Sequence, residues 1–156
     1  MKRFISRYAK VLRWRQQQEE ECRGEVALLR KQRDDIEAFR DQFQNELEIQ
    51  KEFCRSQMSS GVCGGMYWVM EKEMDNKRKQ LRHINEVLQQ SDQRLAESMQ
   101  RHQETRKELK IVEELVHREQ TEHHRRMLKA EELQNQERAL QMFYRNQAGI
   151  ETETES

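Results

Sequence analysis

The chain has 156 residues, with no proline and five glycines, and 37% of its residues are charged while 34% are hydrophobic. An ordinary globular domain is about 45–50% apolar, so this composition excludes a compact core of normal size. The lack of proline weighs against loop-rich folds, sandwiches and barrels. The 29 basic and 29 acidic residues cancel, and the abundant residue types are strong helix formers. The composition therefore predicts long, highly charged helices that share a narrow apolar seam.

The opening segment, MKRFISRYAKVLRWR, is basic and contains no acidic residue. It lacks the continuous apolar stretch of a signal peptide, and no later apolar run reaches the ~18 residues of a membrane span. We therefore expect a cytoplasmic chain with no transmembrane segment. A basic segment fits nucleic acid or an acidic protein surface; we favour the protein, because the whole chain is neutral and no nucleic-acid module is recognisable.

The first helix is predicted over about residues 2–58. Its main seven-residue series is apolar apart from Arg15, and comprises Tyr8, Cys22, Leu29, Ile36 and Phe43. A companion series, with several polar interruptions, comprises Phe4, Val11, Phe39 and Phe53.

Residues 59–65 hold three of the five glycines and predict a turn. Five large apolar residues follow, in the run Met66-Tyr67-Trp68-Val69-Met70. They cannot all face one seam, so part of the group is exposed. Two interpretations stay open, a hydrophobic cap that closes the turn and a docking site.

The second helix is predicted over about residues 66–147, with a more regular apolar pattern. Its main series comprises Met74, Leu81, Leu88, Leu95, His102, Leu109, Val116, His123 and Ala130. Its companions are Met70, Ile84, Val112, Leu133 and Leu140.

A short turn forces the two helices to run antiparallel, so that residue n faces roughly residue 124 − n, although a register slipped by seven residues matches the two series nearly as well. We therefore predict an all-α fold in which two long helices form an antiparallel coiled-coil hairpin with the second helix longer. Residues 1–148 form this single hairpin, and residues 149–156 are a disordered acidic tail. Parallel pairing of the helices between two chains is the alternative.

The length difference leaves the second helix without a partner past roughly residue 122, since each helical residue adds about 1.5 Å. Apolar residues still recur there at helical spacing, namely Met127, Ala130, Leu133, Leu140, Phe143 and Tyr144. An exposed apolar stripe on an unpaired helix is typical of a partner-binding site.

Catalytic and metal-binding patterns are weak. There is no glycine-rich phosphate loop, and the three cysteines have no CxxC spacing, so we expect reduced thiols. Cys22 and His102 share a predicted layer, which we interpret as a polar layer that fixes the register. We likewise interpret the His and Glu residues of segment 117–124 as a solvated face. The sequence therefore predicts no enzyme, no catalytic residues, no metal and no cofactor.

The chain resembles the flagellar export FliJ family. The opening Phe4-x(6)-Val11-Leu12-x-x-Arg15, followed by Glu19-Glu20, is similar to the start of family members. The turn near residue 62, the aromatic-rich start of the second helix and the length also match, although Lys77 stands where a small apolar residue is usual.

The resemblance implies a coiled-coil stalk of type III protein export. It implies that such a stalk enters the pore of the hexameric export ATPase, contacts the cytoplasmic domain of the export-gate membrane protein and escorts export chaperones. It also implies a place at the inner face of the cell membrane and a role in flagellum assembly and motility. Two alternatives stay open, a structural coiled-coil tether and the equivalent stalk of a virulence secretion system.

Three sets of residues are predicted to carry these contacts. The ATPase end comprises Arg3, Arg7, Lys10, Arg13 and Trp14. The gate contact at the turn end comprises Trp68, Met70, Met74 and Leu81. The overhang comprises Met127, Leu133, Leu140, Phe143 and Tyr144.

Overall fold

The computed structural model describes residues 4–61 and 63–154, with side chains described to residue 146. It contains two α-helices, α1 over Ala9–Ser59 and α2 over Gly64–Thr154, and no strand among the residues described. The all-α class and the two long helices of unequal length are confirmed.

Helix α1 begins at Ala9, later than the predicted start at Lys2. The hydroxyl oxygen of Ser6 accepts a hydrogen bond from the Tyr8 amide at 3.1 Å, and the Ser6 carbonyl accepts one from the Ala9 amide at 3.2 Å. Hydrogen bonds between a serine and the nearby backbone compete with the backbone hydrogen bonds of a helix, and they are typical of the residue just before a helix begins. The prediction was therefore wrong for residues 4–8.

The connection between the helices is short, as the cluster of glycines indicated. Gly61 has a φ of +84°, a left-handed conformation that glycine adopts without a steric penalty. The amide of Gly61 donates to the Met58 carbonyl at 3.4 Å, which closes the end of α1. Helix α2 then starts at Gly64, slightly before the predicted residue 66.

At its other end, α2 extends past the expected stop near Gln147 to Thr154. A glycine such as Gly149 costs a helix roughly 1 kcal/mol relative to alanine, which does not by itself end a helix. The disorder of the acidic tail, residues 149–156, stays a prediction.

The chain divides into two compact units. In the unit Gln16–Lys107, the segments of α1 and α2 run antiparallel. Three pairs along the seam show this direction, namely Gln50 with Lys77, Arg33 with Asp92 and Cys22 with Thr105.

The second unit contains the residues up to Arg15 and those from Glu108 onward. Its two segments are also antiparallel. Arg15 pairs with Glu108, the Ser6 hydroxyl donates to Glu119 at 2.5 Å, and the rings of Phe4 and His123 lie 5.1 Å apart.

These six pairs agree with the predicted register to within about three residues, which is less than one helical turn. A slip of seven residues does not fit them. Cys22 and His102 were predicted to share a layer, but each contacts a different residue of the facing segment. The Cys22 thiol lies 3.7 Å from the Thr105 hydroxyl, and the His102 imidazole lies 2.9 Å from the Glu19 carboxylate.

The main series of α1 and α2 are confirmed as the seam. On α2 they are buried or half-buried from Met74 to His123, whereas Ala130 is exposed. The buried apolar side chains among the described residues are Leu47, Met74 and Leu88, and each retains a few per cent of its exposure. The apolar core is therefore narrow, as the composition indicated.

The companion series of α1 was predicted one residue out of place from Val11 onward, whereas its first member, Phe4, is half-buried. Val11, Phe39 and Phe53 are exposed, and the seam positions next to them are filled by Leu12, Glu19, Val26, Arg33, Arg40, Leu47 and Cys54. Arginine can occupy such a position because its alkyl stem packs in the seam while its guanidinium reaches outward. Arg33 reaches Asp92 and Arg40 reaches Asp41.

Candidate partner-binding surfaces

The predicted ATPase-end residues form the amino-end surface, defined here by Arg7, Lys10, Arg13 and Trp14. Arg3 lies outside the described residues. Arg7, Lys10, Arg13 and Trp14 are all exposed, so the structure leaves them accessible to a partner.

The charges of this surface are only partly compensated. The Arg7 guanidinium lies 3.4 Å from Glu119 and 4.8 Å above the Tyr8 ring. Lys10 and Arg13 form no ion pair within the part of the chain that the structure describes. Helix α1 has no acidic residue in its first turn, although a helix N-terminus favours negative charge. The sequence therefore places cations where they weaken the helix.

Trp14 belongs to the same surface. One face of its indole is covered by the Arg15 guanidinium, 4.6 Å from the ring centroid, and the side chain remains half exposed. Arg15 itself turns to Glu108 on α2. The tryptophan is thereby held against a cation at the edge of the basic segment.

The predicted gate residues separate into two groups. Trp68 is 60% exposed, and the Lys72 ammonium lies 4.7 Å above its ring. Met70 is half-buried. Met74 is 5% exposed and Leu81 is half-buried, because both belong to the seam. The turn surface therefore consists of Trp68 and Met70, while Met74 and Leu81 lie in the seam.

A groove of about 400 Å³ lies beside the turn surface, between α1 and α2. Its apolar lining includes Cys54, Met58 and Tyr67 together with Met70 and Met74. The sequence did not indicate this groove, because its lining comes from both helices. The pKa of Tyr67 is raised because its hydroxyl hydrogen-bonds the Glu71 carboxylate, whose charge disfavours the phenolate.

The overhang is the part of α2 beyond His123, whose ring contacts that of Phe4. Met127 is half-buried, whereas Leu133, Leu140, Phe143 and Tyr144 are exposed. The last two rings pack edge to face, 6.1 Å apart. Two further apolar residues of the overhang, Leu128 and Met142, are also exposed. The sequence pattern did not single them out.

The polar layer in the seam has electrostatic rather than catalytic features. The pKa of Glu19 is lowered, mainly by the hydrogen bond from His102, with a further contribution from the charge of Arg23. The Cys22 thiol pairs with a hydroxyl and the imidazole with a carboxylate, so no thiol–imidazole pair forms. Within residues 4–61 and 63–154 no group of three metal-ligating side chains comes together.

Neither helix, over the residues that the structure describes, has an apolar stretch of the length needed to span a bilayer.

The comparison with protein families agrees with these observations. The chain matches the family described as Flagellar FliJ protein over residues 4–148. No curated protein and no solved structure matches it. The match spans nearly the whole chain, including both helices and the turn between them. The chain therefore belongs to the flagellar FliJ family, whose members are non-catalytic components of the flagellar type III export apparatus.

Proposed function

We propose that this chain links the hexameric export ATPase to the cytoplasmic domain of the export-gate membrane protein and escorts export chaperones. It acts in the cytoplasm, at the inner face of the cell membrane, and supports flagellum assembly and motility. Family membership supports the export role, and the three exposed surfaces support the assignment of separate partners.

The uncompensated charge at the start of α1 is the observation that carries this proposal. Lys10 and Arg13 oppose the helix dipole and have no ion pair among the described residues. A residue type that destabilises the fold at its own position is typical of a functional site. We propose that the ring of the ATPase presents an acidic surface. Its carboxylates pair with these cations, and this pairing favours binding.

The turn surface supports contact with the export gate. Trp68 is large, exposed and close to a groove that is lined by both apolar and charged side chains, and tryptophan is enriched among residues that dominate interface energies. Met70 and Met74 line that groove, and methionine adapts to partners of different shape. We assign Met74 a supporting role beneath this contact, whereas Leu81 lies farther along the seam.

The overhang supports binding of an export chaperone. Each of its apolar side chains contributes roughly 1.5–3 kcal/mol when fully buried. Leu133, Leu140, Phe143 and Tyr144 gain only part of this within the described residues, since each is more than half exposed. A partner that covers these four side chains would gain the remaining free energy of their burial.

The test is to reverse the amino-end charges with Arg7→Glu, Lys10→Glu and Arg13→Glu in one variant. We expect affinity for the purified export ATPase to fall at least about tenfold, since each contact to a charged group contributes about 1 kcal/mol or more. Binding to the gate domain should be unchanged.

A matched control reverses three other exposed cations, Lys79→Glu, Arg94→Glu and Lys107→Glu, and gives the same net charge. Equal weakening by both variants would mean that total charge matters and the amino-end surface does not. Wild-type affinity should also fall as salt rises, because exposed charges are screened over about 10 Å at 0.1 M.

A further inference from the structure

Helix α1 carries a second ladder of residues beside the seam. Its spacing alternates between four and three residues, as in a coiled-coil seam. We call it the outer stripe, and it comprises Asp35, Phe39, Gln42, Glu46, Ile49 and Phe53. Such a ladder is the pattern by which one helix packs along another.

The apolar members of the outer stripe are exposed. Phe39 is 57% exposed, Ile49 70% and Phe53 58%. In the same part of α1, Arg33 and Arg40 are half-buried in the seam. Aromatic residues outside and arginines inside reverse the usual distribution, and the pairing of α1 with α2 does not account for it. A further helix laid on the outer stripe does.

The charge of this segment defines what that helix must carry. Residues 35–53 contain six carboxylates and two cations, a net charge of −4. Both cations are paired within the helix, Arg40 with Asp41 and Lys51 with Glu48, each at 2.6 Å. Asp35 and Glu46, the two carboxylates on the stripe, form no ion pair among the described residues.

Helix α2 does not supply the missing cations on this side. By the antiparallel register, the α2 residues that border the outer stripe are Glu73, Gln80 and Val87. One is acidic and two are uncharged. The stripe therefore lies on a face that is both apolar and acidic.

We propose that the outer stripe binds an amphipathic helix of a partner protein. Apolar side chains of that helix cover Phe39, Ile49 and Phe53, and its lysine or arginine side chains pair with Asp35 and Glu46. This surface is separate from the amino-end surface, the turn surface and the overhang, and its existence does not depend on the roles assigned to them.

A second copy of the chain does not fit the outer stripe. Symmetric pairing would bring together two identical stripes, each from a segment of net charge −4. Like charges across an interface oppose binding. A partner with a basic flank has the complementary charge.

The test uses two synthetic amphipathic peptides of about three heptads. They share one apolar seam of leucine and isoleucine, flanked by lysine in one peptide and by glutamate in the other. We expect the full chain to bind the lysine peptide about tenfold more tightly or better, since several exposed charge pairs each contribute roughly 0.2–1 kcal/mol. Titration followed by fluorescence anisotropy measures this ratio.

Two variants locate the site. The double change Phe39→Ser and Phe53→Ser should remove binding of the lysine peptide. The control Ile111→Ser, at a residue of similar exposure in the other unit, should not. Equal loss in the control would overturn the proposal.

Charge reversal keeps the proposal falsifiable even if the serine variants unfold. Asp35→Lys with Glu46→Lys should make the chain prefer the glutamate peptide. An unchanged preference would overturn the proposal. So would a fall in the sedimenting mass of the chain on changing Phe39 and Phe53, because a second copy would then be the occupant.

Discussion

Arg33 and Arg40 occupy seam positions that an apolar residue fills in an idealised coiled coil. Their charges are satisfied at the edge of the seam, by Asp92 and Glu37 for Arg33 and by Asp41 for Arg40. This explains why the companion series of α1 could not be predicted. Phe39 is more apolar than Arg40, and residue type alone does not reveal that an arginine stem can pack where a phenylalanine does not.

Trp68 provides a test of the turn surface at the scale of one residue. Trp68→Ser should weaken binding of the gate domain by about thirtyfold, because an interface tryptophan commonly contributes about 2 kcal/mol. Surface plasmon resonance with the immobilised gate domain measures this. The neighbouring Val69→Ser is the control, since Val69 is half exposed on an adjacent part of the helix. Equal losses would place the contact elsewhere.

The pair of Glu19 and His102 predicts a dependence of stability on pH. Because folding lowers the pKa of Glu19 below its ordinary value of 4.5, the pair stabilises the fold above that value. The stabilisation is lost as the pH falls through the lowered pKa. Glu19→Gln should therefore reduce the fall in melting temperature on acidification from about pH 6 to about pH 3.

Thermal unfolding followed by circular dichroism measures the effect. Glu25→Gln is the matched control, because Glu25 pairs with Arg101 at 3.4 Å but both side chains are largely exposed. If both variants reduce the fall in melting temperature on acidification by the same amount, the pair of Glu19 and His102 has no special role.

At the scale of elements, the seven-residue periods predicted two long helices and the glycine cluster predicted the turn that makes them antiparallel, while the register was also compatible with a slip of seven residues. The periods worked because Leu29 and Ile36 on α1, and Leu81 and Leu88 on α2, repeat at an interval of seven residues, which keeps them on one face of each helix. The start of α1 was missed because a local hydrogen bond of Ser6 outweighed helix propensity. The groove beside the turn surface was missed because its lining comes from both helices.

The seam itself can be tested with two leucine-sized residues of α1. Leu47 is 3% exposed, whereas Ile49 lies on the outer stripe. Leu47→Ala should cost about 2–4 kcal/mol of unfolding free energy, because it removes buried contacts and leaves a cavity. Ile49→Ala should cost less than about 0.5 kcal/mol. Urea denaturation compares them, and similar costs would mean that the seam runs along a different face.

We predict that the overhang is needed for chaperone binding but not for folding of the paired helices. Truncation after Met127 removes the exposed apolar residues of the overhang but keeps the contact of Phe4 with His123. Helicity should fall only in proportion to the residues removed, with little change in melting temperature. Chaperone binding should be lost while binding to the gate domain remains. A much lower melting temperature would instead place the overhang within the folded seam.

At the scale of the whole molecule, the charged composition and the exposed surfaces describe a protein that acts through binding. The amino-end surface and the overhang belong to one unit, and the turn surface and the outer stripe to the other. Their chemistry differs, since one is basic, one acidic and apolar, and two mainly apolar. This difference favours a linker of several partners over a uniform spacer, and it agrees with membership of the FliJ family.

The central claim is that one molecule binds the export ATPase and the export gate together. The most direct measurement immobilises the purified gate domain and asks whether it captures the ATPase when this chain is added. We expect capture that depends on the chain, and loss of capture with either Trp68→Ser or the reversed amino-end charges. Binding of each partner alone, with each displacing the other, would contradict the claim.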